Sequence, residues 1–509
     1  MADFETAIAE CGFGLFNVFI MLSALPCLMG MVFSAASISF VLPTAECDLG
    51  LSMQEKGILF AITYAGMILS AVPWGFMADT MGRRVVLISG GWLDSICVLC
   101  AASSQNTTQL MVFKFFDGLI VCGPFAVVVS YLAEFHGKKH RPYMMLFVGL
   151  CVSVGALVLP LMAYLLLPKH LKFNVLRLQF HTWHVFLAIT AVPSLLSGFL
   201  HIFLPESPKF LMSQGNYSKA LKSLQFAYAL NKRKSRNSYP ITELVDVRPD
   251  REEDMPKGKL TLRQRFQLSK QRFVEGLQQL KPMCASPYLA ISMRIYCLHF
   301  CQVMCVNSVR LWLPQIFATM HTLEVRGVHD SSMCAVLKHN SEMSKASSRL
   351  LKEECDLSHD PNTYRDNIIV ACICLFGYCL FFPIFRIQIV VRHLLKVCMF
   401  VCTFLVGGLY FSQSATATLV IAAIYLTIMG VSASTVIGMC VVEFPTLMRT
   451  MVILLIMTCG RLGSLVGNML LPLFMKMNCW APFVYLSTLM LIAFIISLFL
   501  RIDIQQAIN

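Results

Sequence analysis

The sequence predicts an all-α membrane protein in which twelve transmembrane helices form two pseudo-symmetric six-helix bundles. Three observations support this prediction. The chain is 57% hydrophobic and only 14% charged, with a mean hydropathy of +0.68, whereas a soluble domain is about half apolar and a quarter charged. The apolar residues form long runs, and a run of about 20 residues spans a bilayer. These runs fall into two groups of six around a polar stretch, which excludes a soluble enzyme, a disordered chain and a fibrous protein.

The predicted spans divide the chain into three parts. The N-terminal bundle occupies residues 1–204, a polar central stretch 205–287, and the C-terminal bundle 288–509. A second polar stretch, 320–366, separates spans 7 and 8. Within the central stretch, the apolar spacing of Tyr217–Ala229 predicts a short helix. The spans, numbered 1 to 12 in chain order, are expected at 17–40, 55–77, 84–104, 108–133, 143–167, 184–204, 288–319, 367–387, 394–412, 416–442, 450–475 and 479–501.

Basic residues in the short turns predict the orientation of the spans. The net charge is +13, and in a membrane protein such an excess belongs to cytoplasmic loops rather than to a nucleic-acid site. The 1–2 loop carries only the acidic residues Glu46 and Asp48. We therefore expect this loop and the 320–366 stretch on the outer or lumenal side, and both termini in the cytoplasm. The turns expected in the cytoplasm carry Arg83 and Arg84; Lys138, Lys139 and Arg141; and Arg386, Arg392 and Lys396.

Two other loop features belong to this topology. The 5–6 loop, with Lys169, Lys172 and Arg177, departs from the charge rule because it falls on the outer side. The residues before span 1 include no Lys or Arg, so we expect no cleaved signal peptide.

The cysteines fit neither a metal site nor a disulfide scaffold. Most of the 21 cysteines lie inside apolar runs, where Cys behaves as a small hydrophobic residue, and none falls with His at zinc-site spacing. Cys334 and Cys355 could form a disulfide on the outer side. The chain has no phosphate-binding loop and no nucleophile elbow. We therefore expect neither an enzyme nor a bound cofactor or metal.

The strongest motif lies between spans 2 and 3 and reads Gly75-Phe-Met-Ala-Asp79-Thr-Met-Gly82-Arg83-Arg84. Its two glycines are expected to bracket a tight turn, and Asp79 at a helix end can meet Arg83 or a helix N-terminus. The second half repeats part of this pattern, as many secondary transporters do. About 309 residues later Asp79 aligns with Gln388, Arg83 with Arg392 and Glu134 with Glu443, while Arg141 falls one residue from Arg449.

These residues resemble the signature of the major facilitator superfamily. In that family the 2–3 loop latches the two halves together, which implies a conformational role for Gly75, Asp79, Gly82, Arg83 and Arg84; the alternative is a plain stabilising turn. The acid–base positions at the ends of spans 4 and 10 resemble those of sugar-porter-like members. There, pairs with Arg83 or Arg392 would open and close during transport, and static ion pairs are the alternative. These positions are Glu134 with Arg141 and Glu443 with Arg449.

Three further segments narrow the resemblance to the branch that contains the synaptic vesicle glycoproteins and the organic cation and anion transporters. They are Gly12-Phe-Gly-Leu-Phe16, Pro205-Glu-Ser-Pro-Lys-Phe-Leu211 and Glu443-Phe-Pro-Thr446. The chain departs from that branch at two places. The vesicle glycoproteins carry acidic residues within the first span, but the segment Gly30–Ser39 has none, and Lys114 stands where the family usually has Arg.

Ionisable residues inside the spans are candidates for a substrate site, because charge within a bilayer is costly. Span 3 carries Asp94, and span 4 carries Lys114 and Asp117, which could simply neutralise each other. Arg461, near the middle of span 11, needs either a partner such as Asp117 or Asp94 or a water-filled cavity. Span 7 carries Arg294, His299, Gln302, Asn307 and Arg310. The predicted substrate-binding residues are Arg461, His299, Gln302, Tyr378 and Asp117.

The sequence thus favours a secondary-active or facilitative transporter of a small organic solute, an anion more readily than a cation, working by alternating access. His299 could couple transport to protons or could be a hydrogen-bonding core residue. The competing hypothesis is a non-transporting protein of the plasma or vesicle membrane that acts as a receptor or trafficking partner through residues 320–366. The absence of a carboxylate in Gly30–Ser39 and Gln388 in the second motif favour that alternative. The expected partners are a small-molecule substrate and the lipid bilayer, not a nucleic acid.

Overall fold

A computed structural model describes residues 2–169, 171–175, 178–245, 267, 271, 288–326, 332–343, 361–381, 388–444 and 446–500. The side chains at 47, 142, 175, 341–343, 388–392, 440–443 and 446–451 are not part of this description. Twelve helical stretches in the described part are long and apolar enough to cross a bilayer, which confirms the all-α, twelve-span prediction.

The first half begins with a short helix, α1 (Phe4–Cys11), before span 1. The hairpin between spans 5 and 6 pairs β1 (Lys172–Val175) antiparallel with β2 (Leu178–His181). Span 6 consists of α7 (Thr182–Thr190), α8 (Val192–Leu200) and a 3-10 turn, His201–Phe203. Spans 1 to 5 are α2 (Leu15–Leu49), α3 (Met53–Met81), α4 (Arg83–Ala102), α5 (Thr107–Glu134) and α6 (Arg141–Leu166).

The central stretch and the second half contain the remaining helices. The described part of the central stretch forms α9 (Pro208–Ser213), α10 (Tyr217–Lys232) and a 3-10 turn, Arg236–Ser238, which confirms the helix predicted at Tyr217–Ala229. Between spans 7 and 8 lies α12 (Met333–Met343). Spans 7 to 12 are α11 (Tyr288–Val325), α13 (Pro361–Phe381), α14 (Gln388–Gly408) with a 3-10 turn (Leu409–Phe411), α15 (Ala415–Glu443), α16 (Thr446–Met477) and α17 (Ala481–Leu498).

Local sequence sets several helix boundaries. Span 2 starts with a capping box, because the Ser52 hydroxyl accepts from the Glu55 backbone N–H and the Glu55 carboxylate accepts from that of Ser52. Span 1 ends at Gly50 with φ +60°, and the 2–3 turn contains Gly82 with φ +104°. Only glycine adopts such backbone angles without strain. These two glycines therefore permit the tight reversals at opposite ends of span 2.

Small residues bring the spans of each half close together. In the N-terminal bundle, Gly118 of span 4 lies against the backbone of Thr63 in span 2. In the C-terminal bundle, Gly463 and Gly467 of span 11 lie against Met304 and its neighbours in span 7. The halves meet along two seams, span 2 against span 11 and span 5 against span 8. Because close backbone approach favours packing in lipid, these glycines explain which spans are neighbours.

The end of span 7 and the start of span 8 extend further than the hydropathy predicts. Span 7 continues to Val325 rather than ending at 319, and span 8 starts at Pro361 rather than 367. Polar contacts explain the difference. Thr319 donates to Asn340 at 2.9 Å, and the His321 Nε2 atom lies 2.9 Å from an Asp366 carboxylate oxygen. Buried polar groups with partners sustain a helix that an apolar window does not detect.

The prediction that Cys334 could form a disulfide with Cys355 is wrong, because Cys334 has another partner. The Cys334 sulfur is bonded to Cys479, in the 11–12 turn, with 5.0 Å between the two Cα atoms. Cys355 lies outside the described residues. The pairing follows from packing, because α12 lies against the 3-10 turn after span 9 and against span 11, which brings Cys334 and Cys479 to a Cα separation that suits a disulfide. The bond links the 7–8 connection to the 11–12 turn.

Candidate functional site

The two ends of the bundle differ in charge. We call the end with the 2–3 and 4–5 turns the basic end and the end with the 1–2 turn the opposite end. At the basic end, Arg83 forms the centre of a polar cluster. Its guanidinium lies 3.2 Å from the Asp79 carboxylate and 3.5 Å from that of Glu134, and it donates to the Ala78 carbonyl at 3.0 Å. Arg83 thereby connects the end of span 2 to the end of span 4.

The two motif glycines have different roles. Gly82 occupies the turn itself, and an added Cβ would meet the Glu206 carboxylate and the Phe210 ring. Gly75 does not bracket the turn, contrary to the sequence-based expectation. It lies inside span 2, and no atom comes within 4 Å of the place where its Cβ would be. The tight reversal therefore depends on Gly82 alone.

Glu206, which the sequence-based site omitted, holds the 2–3 turn from the end of span 6. Its carboxylate accepts from the backbone N–H groups of Arg83, Arg84 and Ser207 at 3.0, 3.1 and 2.9 Å. Burial raises the pKa of the Glu206 carboxyl above its ordinary value, although these N–H donors and Arg83 act in the other direction. The Pro-Glu-Ser-Pro sequence was the signal for this residue, since it places an acid directly after span 6.

Arg141 does not pair with Glu134. Its guanidinium binds Glu5 of α1 at 2.9 Å and donates to the carbonyls of Ala133 and His136. The reason is that α1 folds back against the 4–5 turn, together with α10. The corresponding second-half positions fall at matching places in the fold: Arg392 near the start of span 9, Glu443 at the end of span 10 and Arg449 in the first turn of span 11. Their side chains lie outside the description.

The two halves are closed against each other at the opposite end. Glu46, at the end of span 1, lies 2.6 Å from the Lys56 ammonium and accepts from Gln315 of span 7 at 3.1 Å. Beside this contact, the rings of Phe60 and Trp312 pack edge to face. Between described residues, no hydrogen bond or ion pair joins the halves at the basic end. Among the described residues, the halves are therefore joined at the end opposite to the 2–3 turn.

A charged cluster lies inside the N-terminal bundle. The Lys114 ammonium binds the Asp117 carboxylate and donates to the Ser34 carbonyl of span 1 at 2.8 Å. Asp94 accepts from Ser194 at 2.5 Å and also approaches Asp117. Lys114, Asp117 and Asp94 are all buried. Asp117 is consequently an internal residue of this bundle, and its pairing with Lys114 separates it from the other predicted substrate-site residues.

His299 and Gln302 lie within the C-terminal bundle. The Gln302 amide donates to the Ser432 hydroxyl of span 10 at 2.6 Å, and the His299 ring packs against Gly460 of span 11. Both side chains are buried. They bind spans 7, 10 and 11 together, so the structure does not bring them to the surface between the halves.

Arg461 and Tyr378 lie between the halves. Arg461 belongs to span 11 and is half-buried. Its guanidinium donates to the Cys122 sulfur of span 4 at 3.0 Å. Neither Asp94 nor Asp117 is its partner, and no described carboxylate pairs with it. The Tyr378 hydroxyl of span 8 lies against Gly149 of span 5. An unpaired guanidinium at this depth can bind a carboxylate through two parallel hydrogen bonds.

Arg310 is a second cation between the halves that the predicted site did not include. It is exposed within span 7, although its neighbours Val309 and Leu311 are buried. It interacts electrostatically with Tyr64 of span 2 and Tyr425 of span 10. The sequence showed that Arg310 lies in a span, but polar residues occur on several faces of span 7. Which face meets the other half depends on packing.

Two six-helix halves that meet around mid-depth polar residues define a multi-pass membrane protein with the fold of a transporter. A family model described as the Major Facilitator Superfamily matches residues 24–336, more than half of the chain. The chain belongs to this superfamily. This confirms the prediction made from its motifs, which resemble the signature of the superfamily.

Curated proteins to which the chain is similar include synaptic vesicle glycoproteins. Synaptic vesicle glycoprotein 2A of Rattus norvegicus is 28% identical over 254 residues, which are 50% of this chain and 34% of that protein. Synaptic vesicle glycoprotein 2B of Rattus norvegicus is 29% identical over 233 residues, 45% of this chain and 34% of that protein. The match therefore spans about a third of the length of these relatives.

Solved structures with the same fold include bacterial sugar transporters. The partially occluded inward-open conformation of the xylose transporter XylE from E. coli has a TM-score of 0.65 and 14% identity, covering 96% of this chain and 100% of that one. The inward-open conformation of the same transporter has a TM-score of 0.63 and 16% identity, covering 95% and 96%. This likeness establishes the fold.

Proposed function

We propose that the protein moves a small organic anion across a membrane by alternating access. Transport is either coupled to the movement of a second solute or is facilitated diffusion. The observation that carries this proposal is Arg461. Its guanidinium lies between the halves at mid-depth, contacts Cys122 and has no described carboxylate partner. A guanidinium stays charged at every physiological pH, and an uncompensated charge within a bilayer is costly. A substrate carboxylate supplies the missing counter-charge.

The contacts between the halves at one end support alternating access. The contacts of Glu46, Lys56, Gln315, Phe60 and Trp312 close the opposite end, whereas the Arg83 cluster at the basic end lies within one half. We propose that the basic end faces the cytoplasm, as the turn charges predict. The structure is then closed to the outside, and Gly82, Asp79 and Glu134 form with Arg83 the latch that rearranges when the basic end closes.

Uptake by cells tests the role of Arg461. Arg461→Ala should reduce accumulation of the transported anion more than tenfold at equal surface expression, because the counter-charge at the substrate is lost. Arg461→Lys should retain part of the activity, since it keeps the charge without the two-pronged geometry. Lys476→Ala, at the exposed end of the same span, is the matched control and should transport like the wild type. Equal uptake by the Arg461→Ala protein contradicts the proposal.

The second candidate function is that of a receptor or trafficking partner without transport. One structural feature favours it: the 7–8 connection carries the helix α12, which the Cys334–Cys479 bond fixes to the 11–12 turn. This arrangement presents a fixed surface at the opposite end. A pull-down that recovers one protein through residues 320–366, and loses it in Cys334→Ser, together with an absence of solute uptake, supports this function. Uptake that survives removal of the Cys334–Cys479 bond supports transport.

A further inference from the structure

Arg310 and Arg461 together leave two uncompensated positive charges between the halves. Arg310 belongs to span 7 and Arg461 to span 11, and no described carboxylate pairs with either. The acidic cluster of Asp94 and Asp117 is occupied by Ser194 and Lys114 inside the N-terminal bundle. At the opposite end, Glu46 is taken by Lys56. Among the described residues, Asp94, Asp117 and Glu46 are therefore engaged elsewhere.

The surroundings of Arg310 indicate that it faces the substrate path rather than lipid. Its electrostatic neighbours come from three other spans: Tyr64 of span 2, Cys374 of span 8 and Tyr425 of span 10. Span 2 belongs to the other half of the protein. The buried Tyr425 hydroxyl has no hydrogen-bond partner among the described residues. Near Arg310, span 7 packs against span 2 through the rings of Trp312 and Phe60, so we place the exposed Arg310 side chain between the halves.

A polar bridge connects the levels of the two arginines. The Asn307 amide donates to the Ser464 hydroxyl at 2.6 Å. Asn307 lies three residues before Arg310, and Ser464 lies three residues after Arg461. These polar groups therefore stand between the two cations along the path.

The packing of spans 7 and 11 sets the distance between the two arginines. Gly463 lies against Phe300 and Met304, which places Arg461 level with about residue 301 of span 7. At 1.5 Å per residue, the backbones of Arg461 and Arg310 differ in height by about 12–15 Å. Long arginine side chains can converge across this gap. A solute with an acidic group at each end and a short apolar or hydroxylated middle fits this spacing.

We propose that the substrate is an organic dianion, such as a four- to six-carbon dicarboxylate, held by Arg461 at one end and Arg310 at the other. This proposal rests on the anion transport proposed above and specifies the substrate class. A monoanion would leave one cation uncompensated in a site partly shielded from water, where charges interact strongly. A dianion neutralises both, while the polar side chains of Asn307 and Ser464 lie between the two cations.

The experiment compares dicarboxylates with monocarboxylates of equal chain length. Purified wild type in liposomes is tested for uptake of labelled succinate, adipate, butyrate and hexanoate, and for thermal stabilisation in detergent by each compound. The wild type should favour the dicarboxylates at least tenfold in kcat/KM. Arg310→Gln should lose this preference, with KM for the dicarboxylate raised about tenfold and the ratio of kcat/KM for dicarboxylate over monocarboxylate falling to near one. The matched control is Arg294→Gln, at the basic end of the same span, where Arg294 donates to the Phe499 carbonyl.

The possible outcomes separate this proposal from the function on which it rests. Equal handling of mono- and dicarboxylates by the wild type, with Arg310→Gln indistinguishable from it, overturns the dianion proposal and leaves anion transport standing. Arg310→Gln that remains folded by size exclusion and keeps the dicarboxylate preference also overturns it. If no dicarboxylate is taken up and none stabilises the wild type, the dianion proposal fails. Failure of every monocarboxylate in the same assays removes anion transport as well.

Discussion

Replacing Lys114 by Met tests the charged cluster within the N-terminal bundle. Lys114 is 1% exposed and Asp117 is 0% exposed. The ammonium binds Asp117 and the Ser34 carbonyl, and Asp94 lies next to the pair. Removing one partner of a buried ion pair costs about 3–5 kcal/mol, because the remaining charge stays in a medium of low polarity. Lys114→Met leaves two carboxyl groups without a cation.

This loss predicts a large shift in thermal stability. At about 2–4 °C per kcal/mol for a folded unit of 150–250 residues, Lys114→Met should unfold roughly 6–20 °C below the wild type. The measurement is thermal unfolding of purified protein in detergent, followed by intrinsic fluorescence. The double variant Lys114→Met/Asp117→Asn should recover much of the loss, because both charges are then absent. Lys172→Met, in the exposed hairpin, is the control.

Two results would refute this reasoning. Lys114→Met that unfolds within about 2 °C of the wild type means that the pair contributes no more than an exposed one. A double variant that is no more stable than Lys114→Met means that the uncompensated Asp117 charge is not the cause of the loss.

Three further predictions address other parts of the structure. Peptide mapping without reduction should recover a Cys334–Cys479 cross-link, and Cys479→Ser should lower the stability by about 2–4 kcal/mol, typical for a native disulfide. Because burial raises the Glu206 pKa, the stability that this carboxyl contributes is full below its pKa in the unfolded chain and is lost as pH rises through its higher pKa in the folded protein. The Tm of wild type should therefore fall relative to that of Glu206→Gln as pH rises above the unfolded value. Glu46→Gln, which leaves the buried Lys56 ammonium uncompensated, should increase maleimide labelling of a cysteine introduced at position 60.

Each of these three predictions has an outcome that contradicts it. A cross-linked peptide joining Cys334 to Cys355 would disagree with the described disulfide. A Tm difference between wild type and Glu206→Gln that does not change with pH would show that Glu206 titrates at its ordinary pKa. Labelling at position 60 that is as slow in Glu46→Gln as in the parent protein would mean that Glu46 does not hold the opposite end closed.

The number and type of the spans could be predicted from the sequence because each requires only a long apolar run. The ends of the spans were harder to predict where polar residues extend a helix. Span 7 reaches Val325 because Thr319 and His321 find partners in α12 and span 8. Such polar residues lower the mean hydropathy of a segment, and the hydropathy contains no information about their hydrogen-bond partners. The pairing of Cys334 with Cys479 could not be predicted for a similar reason. The two residues are 145 positions apart in the sequence, and only the fold brings them together.

The basic end was predictable from spacing, whereas the region between the halves was not. Asp79 and Arg83 are four residues apart on adjoining helix ends, so their proximity follows from local geometry. His299, Gln302 and Arg310 all lie in span 7, and their sequence does not show which side faces the other half. The structure turns His299 and Gln302 toward spans 10 and 11, and Arg310 toward span 2. That choice follows from the close approach of span 11 at Gly460 and Gly463.

The most direct test of the central claim is a counterflow measurement with reconstituted protein. Liposomes are loaded with an unlabelled organic anion, and entry of the same labelled anion is followed for wild type, Arg461→Ala and Lys476→Ala. Alternating access with substrate bound at Arg461 predicts transient accumulation of label in the wild type and in Lys476→Ala. It predicts a loss of more than tenfold in Arg461→Ala of equal thermal stability. Folded wild type that shows no counterflow with any anion, or Arg461→Ala that equals it, would contradict the account.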